Sequence, residues 1–150
     1  MINMKKVNNI SIGNAGEYFV AGELERHGFS VAVPMSNTEL FDILALNRIS
    51  LRQFAIQVKT KHSTKKEWIL SQKNEKINNE NIFYVFVCMN NLNNPEYHIV
   101  PSKIVSDYII NGHKKWLETP GKNGRMHKDN PMRTFSDYDD KYLNRWDLIE

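Results

Sequence analysis

One cysteine among 150 residues leaves no disulfide framework and no structural zinc site built on several thiolates. That residue, Cys88, stands inside the apolar run IFYVFVCM, which reads as a small buried hydrophobe rather than a reactive thiol. No stretch approaches the ~18 apolar residues of a spanning helix, and MINMKKVNNISIG at the N-terminus has no apolar core of signal-peptide length, so a cytoplasmic protein is expected. The triplet Asn9-Ile10-Ser11 then has no glycosylation consequence. Nor is there a Gly-rich phosphate loop, a Gly-x-Ser-x-Gly elbow or a pair of histidines at metal-ligand spacing; His27, His62, His98, His113 and His127 are scattered. These absences argue against P-loop, serine-hydrolase and His-zinc chemistry. Charge of neither sign dominates: the net value is +3 and the pI near 8.9, which permits nucleic-acid binding without requiring it.

What is present suits one folded domain over residues 1–150, with 41% apolar and 11% aromatic residues and no repeats. Residues 11–27 predict an amphipathic helix capped by Ser11 and stopped by Gly28. Strands are predicted over 29–33, 40–46 and 54–60, the last two joined by the polar segment 47–52. Residues 63–81 are polar and lysine-rich around Trp68, Ile69 and Leu70, with a short helix near 71–77. The continuous apolar run 82–89 predicts a central strand, followed by a turn over 90–95, a strand over 96–100 and a helix from Pro101-Ser102 to about Leu117. Residues 118–137 read as a long loop or disordered arm, and 138–149 as a tail helix through Tyr142, Leu143, Trp146 and Ile149. Asp137, Asp139 and Asp140 would then favour the positive N-terminal end of that helix. The fold class is α/β, a mixed sheet flanked by helices, with 118–150 as a loop and helix extension.

Two polar residues interrupt the apolar strands. An aspartate within LFDILAL and an amide within FAIQVKT need compensating partners if buried. A turn centred between Ile49 and Ser50 sets Asp42 opposite Gln57, and the alternation of a strand puts Lys59 on the same face as Gln57. Acid, amide oxygen and ammonium then converge. They read either as a salt bridge with an ordinary cross-sheet hydrogen bond, or as a divalent-cation site, since carboxylate and amide oxygens are hard ligands. The Val58 main-chain carbonyl is a further donor, and Lys59 would position water or neutralise phosphate charge. On the first helix Glu17 borders the apolar stripe, with Glu23 as a rival acid and Glu39 ranked third. Gly13 and Gly16 flank Glu17 and would let the helix approach the strands closely.

The segments GNAGEYFVAGELERHGFSVAVP, FDILAL and FAIQVKT together resemble the PD-(D/E)XK phosphodiesterase superfamily, in particular the small branch that includes archaeal Holliday junction resolvases. The likeness covers about the first sixty residues. It implies a restriction endonuclease-like core of αβββαβ order and a magnesium site on Glu17, Asp42, Gln57, Val58 and Lys59, with Mn²⁺ as substitute. It also implies endonucleolytic cleavage of DNA, with catalytic roles for Glu17, Asp42, Gln57 and Lys59, and pairing into a homodimer. Two departures stand out: Phe41 replaces the proline before the aspartate, and Gln57 replaces the commoner glutamate, although Gln-x-Lys occurs in active relatives. Lys61, Lys65, Lys66, Lys122, Arg125, Lys128 and Arg133 would grip the nucleic-acid backbone. The alternative is a catalytically weak or inactive module of the same fold that binds nucleic acid or a protein; a third reading is a small subunit completed by a partner.

Overall fold

The protein is described here from a computed structural model covering residues 7–150. In chain order its elements are α1 (Asn9–Arg26), β1 (Phe29–Ala32), β2 (Ile43–Asn47), β3 (Gln53–Lys61), β4 (Glu67–Ser71), β5 (Ile82–Cys88), β6 (Glu96–Pro101), α2 (Ser102–Glu118) and β7 (Met132–Ser136). Five strands form one sheet in the order β1-β2-β3-β5-β6. Only β3 and β5 run parallel; the other neighbours are antiparallel.

A parallel pair needs a crossover, and here β4 and a short 3-10 helix (Gln72–Lys76) supply it rather than an α-helix. The central strands are buried on both faces, as the unbroken apolar run of β5 requires. Against one face α1 packs Val20 and Leu24 onto Ile43, Phe54, Ile56 and Val85. Against the other lie Val105 and Ile109 of α2, with Trp68 and Leu70 of β4 and Phe135 of β7, around Tyr84 and Phe86. Cys88 is fully buried, and that burial pushes its thiol up to about 11.

Several predicted elements take another form. The cap of α1 is Asn8, whose side-chain oxygen accepts the Ser11 N–H at 2.8 Å; Ser11 lies inside the helix. Gly28, at φ 91°, does end it. Residues 67–71 are a strand, paired with residues 132–136 in a two-stranded sheet, so the stretch expected to be a loop or arm contributes β7. The expected tail helix over 138–149 does not form; only a 3-10 turn at Trp146–Leu148 is helical. Asp140 and Asn144 adopt left-handed conformations, with φ of 57° and 54°, which no α-helix accommodates. The segment nevertheless packs onto the domain: Leu143 bridges to His98, and Trp146 and Ile149 enter the core. Asp137 caps no helix; buried, it accepts from His98 Nδ1 at 2.7 Å and from the Lys141 and Tyr142 N–H groups. Among the described residues no helix is long and apolar enough to cross a membrane.

Candidate functional site

β2 begins only at Ile43, and its first partner is Ile56. The register is the one a turn between Ile49 and Ser50 sets, and extending it by one residue places Asp42 opposite Gln57. Beyond Ile56, β3 runs five residues further, to Lys61, without β2 alongside. That exposed edge organises the site. Asp42 N–H still reaches the Ile56 carbonyl at 2.8 Å, and the Asp42 carboxylate accepts the Val58 N–H at 2.7 Å. A residue's N–H and C=O project to the same edge of a strand. The Val58 carbonyl therefore faces the Asp42 side as well.

Gln57 is 5% exposed, so its amide must be satisfied internally. The amide nitrogen donates to the Glu39 carbonyl at 3.3 Å and the Leu40 carbonyl at 3.1 Å. Two acceptors at one end fix the orientation of the amide, because its oxygen would be repelled there. Oε1 then points away from that turn, and among the described residues no group donates to it. Glu39 thus enters through its main chain and not through its carboxylate. Gln57→Glu would bring an oxygen against the same two carbonyls. In metal-free protein its Tm is expected to fall below that of wild type at neutral pH, with the gap narrowing as acid restores a donor proton. A Gln57→Glu melting curve matching wild type at pH 7 would contradict this account.

Glu17 is half-buried at the middle of α1. Burial and the Asp42 carboxylate raise its pKa from 4.5, while Lys59 opposes the shift, so the two acids and the ammonium share one field across the open edge of β3. The neighbour Gly16 sets the helix height. A Cβ there would lie 1.8 Å from Thr60 Oγ1, so only glycine allows this approach beside Lys59. At Gly13, by contrast, an added Cβ meets nothing within 4 Å. Glu23, the rival acid, is ion-paired with Arg26 at 2.6 Å.

A carboxyl whose folded pKa is raised stabilises the protein below its unfolded pKa and loses that contribution as pH rises through the folded value. Ionised Glu17 is therefore a burden at neutral pH without a cation. In EDTA, Glu17→Gln is expected to melt higher than wild type at pH 7, and the difference should vanish below pH about 4. Equal melting temperatures across that range would refute the coupling.

Glu17, Asp42, Gln57 Oε1 and the Val58 carbonyl are hard oxygen donors of the kind Mg²⁺ takes. The set has only two carboxylates, consistent with no group of three or more His, Cys, Asp or Glu side chains forming among the described residues. The donor chemistry fits a divalent cation of modest affinity.

The expected backbone-gripping cations divide. Arg133 does not belong with them: it is 4% exposed, paired with Glu75 and bonded to the Asn130 and Met132 carbonyls. Burial of Phe135 and Arg133 on one side of β7 removes it from the surface. Lys61 donates to the Glu67 carbonyl at 2.6 Å, Lys65 pairs with the Glu67 carboxylate, and Lys66 bonds Asp140 and Glu96. Lys122, Arg125 and Lys128 are exposed, without an ion pair among the described residues.

No protein-family model matches the sequence, and no curated protein matches it. The structure is similar to that of the bacterial homing endonuclease I-Ssp6803I, with a TM-score of 0.55 over 95% of this chain and 91% of that one, at 12% identity. It is also similar to Hjc, a Holliday junction resolvase from the archaeal hyperthermophile Archaeoglobus fulgidus, with a TM-score of 0.48 over 83% of this chain and 84% of that one, at 13% identity. The first likeness spans nearly the whole of both chains. The chain has a restriction endonuclease-like fold, a mixed five-stranded sheet flanked by helices.

Proposed function

We propose that the protein is a divalent-metal-dependent endonuclease that hydrolyses phosphodiester bonds in DNA. The observation that carries this reading is the convergence at one uncovered strand edge: Asp42 bonded to Ile56 and Val58 of β3 on either side of Gln57, Lys59 on the same face of the strand as Gln57, and Glu17 within the field of both Asp42 and Lys59. A salt bridge alone would need neither the second acid nor the undonated Gln57 oxygen. Asp42, Gln57 Oε1 and the Val58 carbonyl would hold the cation, with Glu17 completing the set. A bound Mg²⁺ supplies polarisation of a phosphate oxygen and a lowered pKa for an attacking water. Lys59 aligns that water and offsets the negative charge growing on the phosphate. Cleavage would leave a 5′-phosphate and a 3′-hydroxyl.

Lys122, Arg125 and Lys128 supply cations for the DNA backbone, which position a duplex without reading its sequence. Two copies pairing would allow cuts in both strands. The test combines calorimetry with Mn²⁺ and cleavage assays on duplex, single-stranded, flap and four-way-junction DNA, each with Mg²⁺, Mn²⁺ or EDTA. Cutting with metal and none in EDTA is expected. Cutting that persists in EDTA would refute the metal reading. DNA binding with no ion uptake favours the inactive module, and activity appearing only with a second protein favours an incomplete subunit.

A further inference from the structure

Arg133 is buried and paired with Glu75, away from the metal-ligand residues. Between α2 and β7 lies a cavity of about 680 Å³, within the usual size of small-molecule sites. Its lining includes His113, Lys115 and Arg133 and, among the described residues, no acidic side chain. Arg133 is held rigidly from one side: Nε by Glu75 and Nη1 by the carbonyls of Asn130 and Met132. Nη2 has no acceptor among the described residues and is not sealed from solvent. A buried guanidinium with an unused donor edge is preorganised for an anion.

The other walls are flat and apolar. Tyr108, Trp116 and Met132 line the same space, and Trp116 is fixed by stacked contacts with His113 and His127 at centroid distances of 5.5 and 4.1 Å. Glu75 offsets part of the Arg133 charge, and Asp129 lies 2.8 Å from His113. Lys115 is exposed and has no ion pair among the described residues, so one unpaired cation stands at the mouth. We infer that this cavity binds a small phosphate monoester carrying a planar ring, of the nucleoside monophosphate kind. The phosphate sits on Arg133 Nη2 with Lys115 and His113 beside it, and the ring lies against Tyr108, Trp116 and Met132. The unused Arg133 Nη2 edge and the unpaired Lys115 ammonium favour a phosphate, which can accept from both at once, over a single carboxylate. The same chemistry is offered by a free mononucleotide and by the 5′-phosphorylated end of a strand.

The inference does not depend on the nuclease reading, and its test is run in EDTA. Calorimetry with AMP should show binding, with adenosine and inorganic phosphate each weaker by roughly tenfold or more. A short 5′-phosphorylated oligonucleotide that binds more tightly than AMP and than its unphosphorylated form identifies a strand end as the source. AMP binding as well or better identifies the free nucleotide. Gly112 also lines the cavity, and a Cβ there meets nothing within 4 Å. Gly112→Leu should therefore fill the space while keeping a wild-type melting curve, and AMP binding should disappear. Lys115→Glu should weaken it about tenfold. Asp42→Asn should leave it unchanged, which separates this site from the metal-ligand residues. Failure of both AMP and the phosphorylated strand to bind at millimolar concentration, or binding that survives Gly112→Leu, overturns the inference.

Discussion

Asp42→Asn is expected to reduce metal-dependent DNA cleavage by about a thousandfold or more while leaving the protein folded. Asparagine retains an oxygen that can accept the Val58 N–H, the bond the carboxylate makes at 2.7 Å, but it removes the negative charge a hard cation requires. Alanine at the same position should do more. It leaves the Val58 N–H without its acceptor, so Asp42→Ala should lose cleavage and also about 1–2 kcal/mol of stability in urea. Comparing the two separates the role of charge from the role of the hydrogen bond. Cleavage within tenfold of wild type in the Asn variant would show that the ion sits elsewhere.

Gly16→Ala should be the most damaging of the conservative changes. Helix propensity alone favours alanine by about 1 kcal/mol, so an exposed helical glycine would gain from the exchange. Here the new methyl would lie 1.8 Å from Thr60 Oγ1 and 2.8 Å from Thr60 Cβ and Cγ2. Atoms cannot share that space, and overpacking of this kind costs about 1–3 kcal/mol. The expected net result is a lower Tm together with weaker cleavage, because α1 must move off β3 and carry Glu17 away from Lys59 and Asp42. Thr60→Ala added to Gly16→Ala should recover part of the loss, since Oγ1 and Cγ2 go while Cβ remains. Thr60 Oγ1 is itself buried without a hydrogen-bond partner, so trimming it removes an unsatisfied group. A Gly16→Ala protein as stable as wild type would mean the helix is not held this closely.

The site strands were legible because their signals are local. The polar segment between two apolar runs fixes the turn, the turn fixes the register as far as Ile43 and Ile56, and Asp42 follows at the end of β2, bonded to Ile56 and Val58. The anchoring of Gln57 to the Glu39 and Leu40 carbonyls was not, because it depends on the path of an irregular turn. β4 and β7 escaped for a related reason. Trp68 and Leu70 alternate with Glu67 and Ile69 as a strand should, but five residues among lysines give a weak pattern. What holds the strand is distant: Trp68 Nε1 donates to the Val87 carbonyl at 3.1 Å, and β7 pairs alongside. Arg133 reads as a surface cation until Glu75, 58 residues away, is seen beside it. In the tail the spacing of Tyr142, Leu143, Trp146 and Ile149 suits a helix, yet Asp137 takes the Lys141 and Tyr142 N–H groups and His98 as well. That arrangement replaces the helical bonds of the first turn.

The same tail closes one margin of the main sheet. Ile99 N–H donates to the Tyr142 carbonyl, Asn144 N–H to the Tyr97 carbonyl, and Leu143 bridges to His98, while at the far margin Glu25 takes the Val31 N–H. The β6 border thus offers no free row of main-chain groups over residues 97–99, whereas at β1 a single N–H is occupied in this way. Two copies of this chain therefore cannot join their sheets β6 to β6 without first peeling away residues 142–144, which leaves β1 as the border through which a continuous ribbon could form.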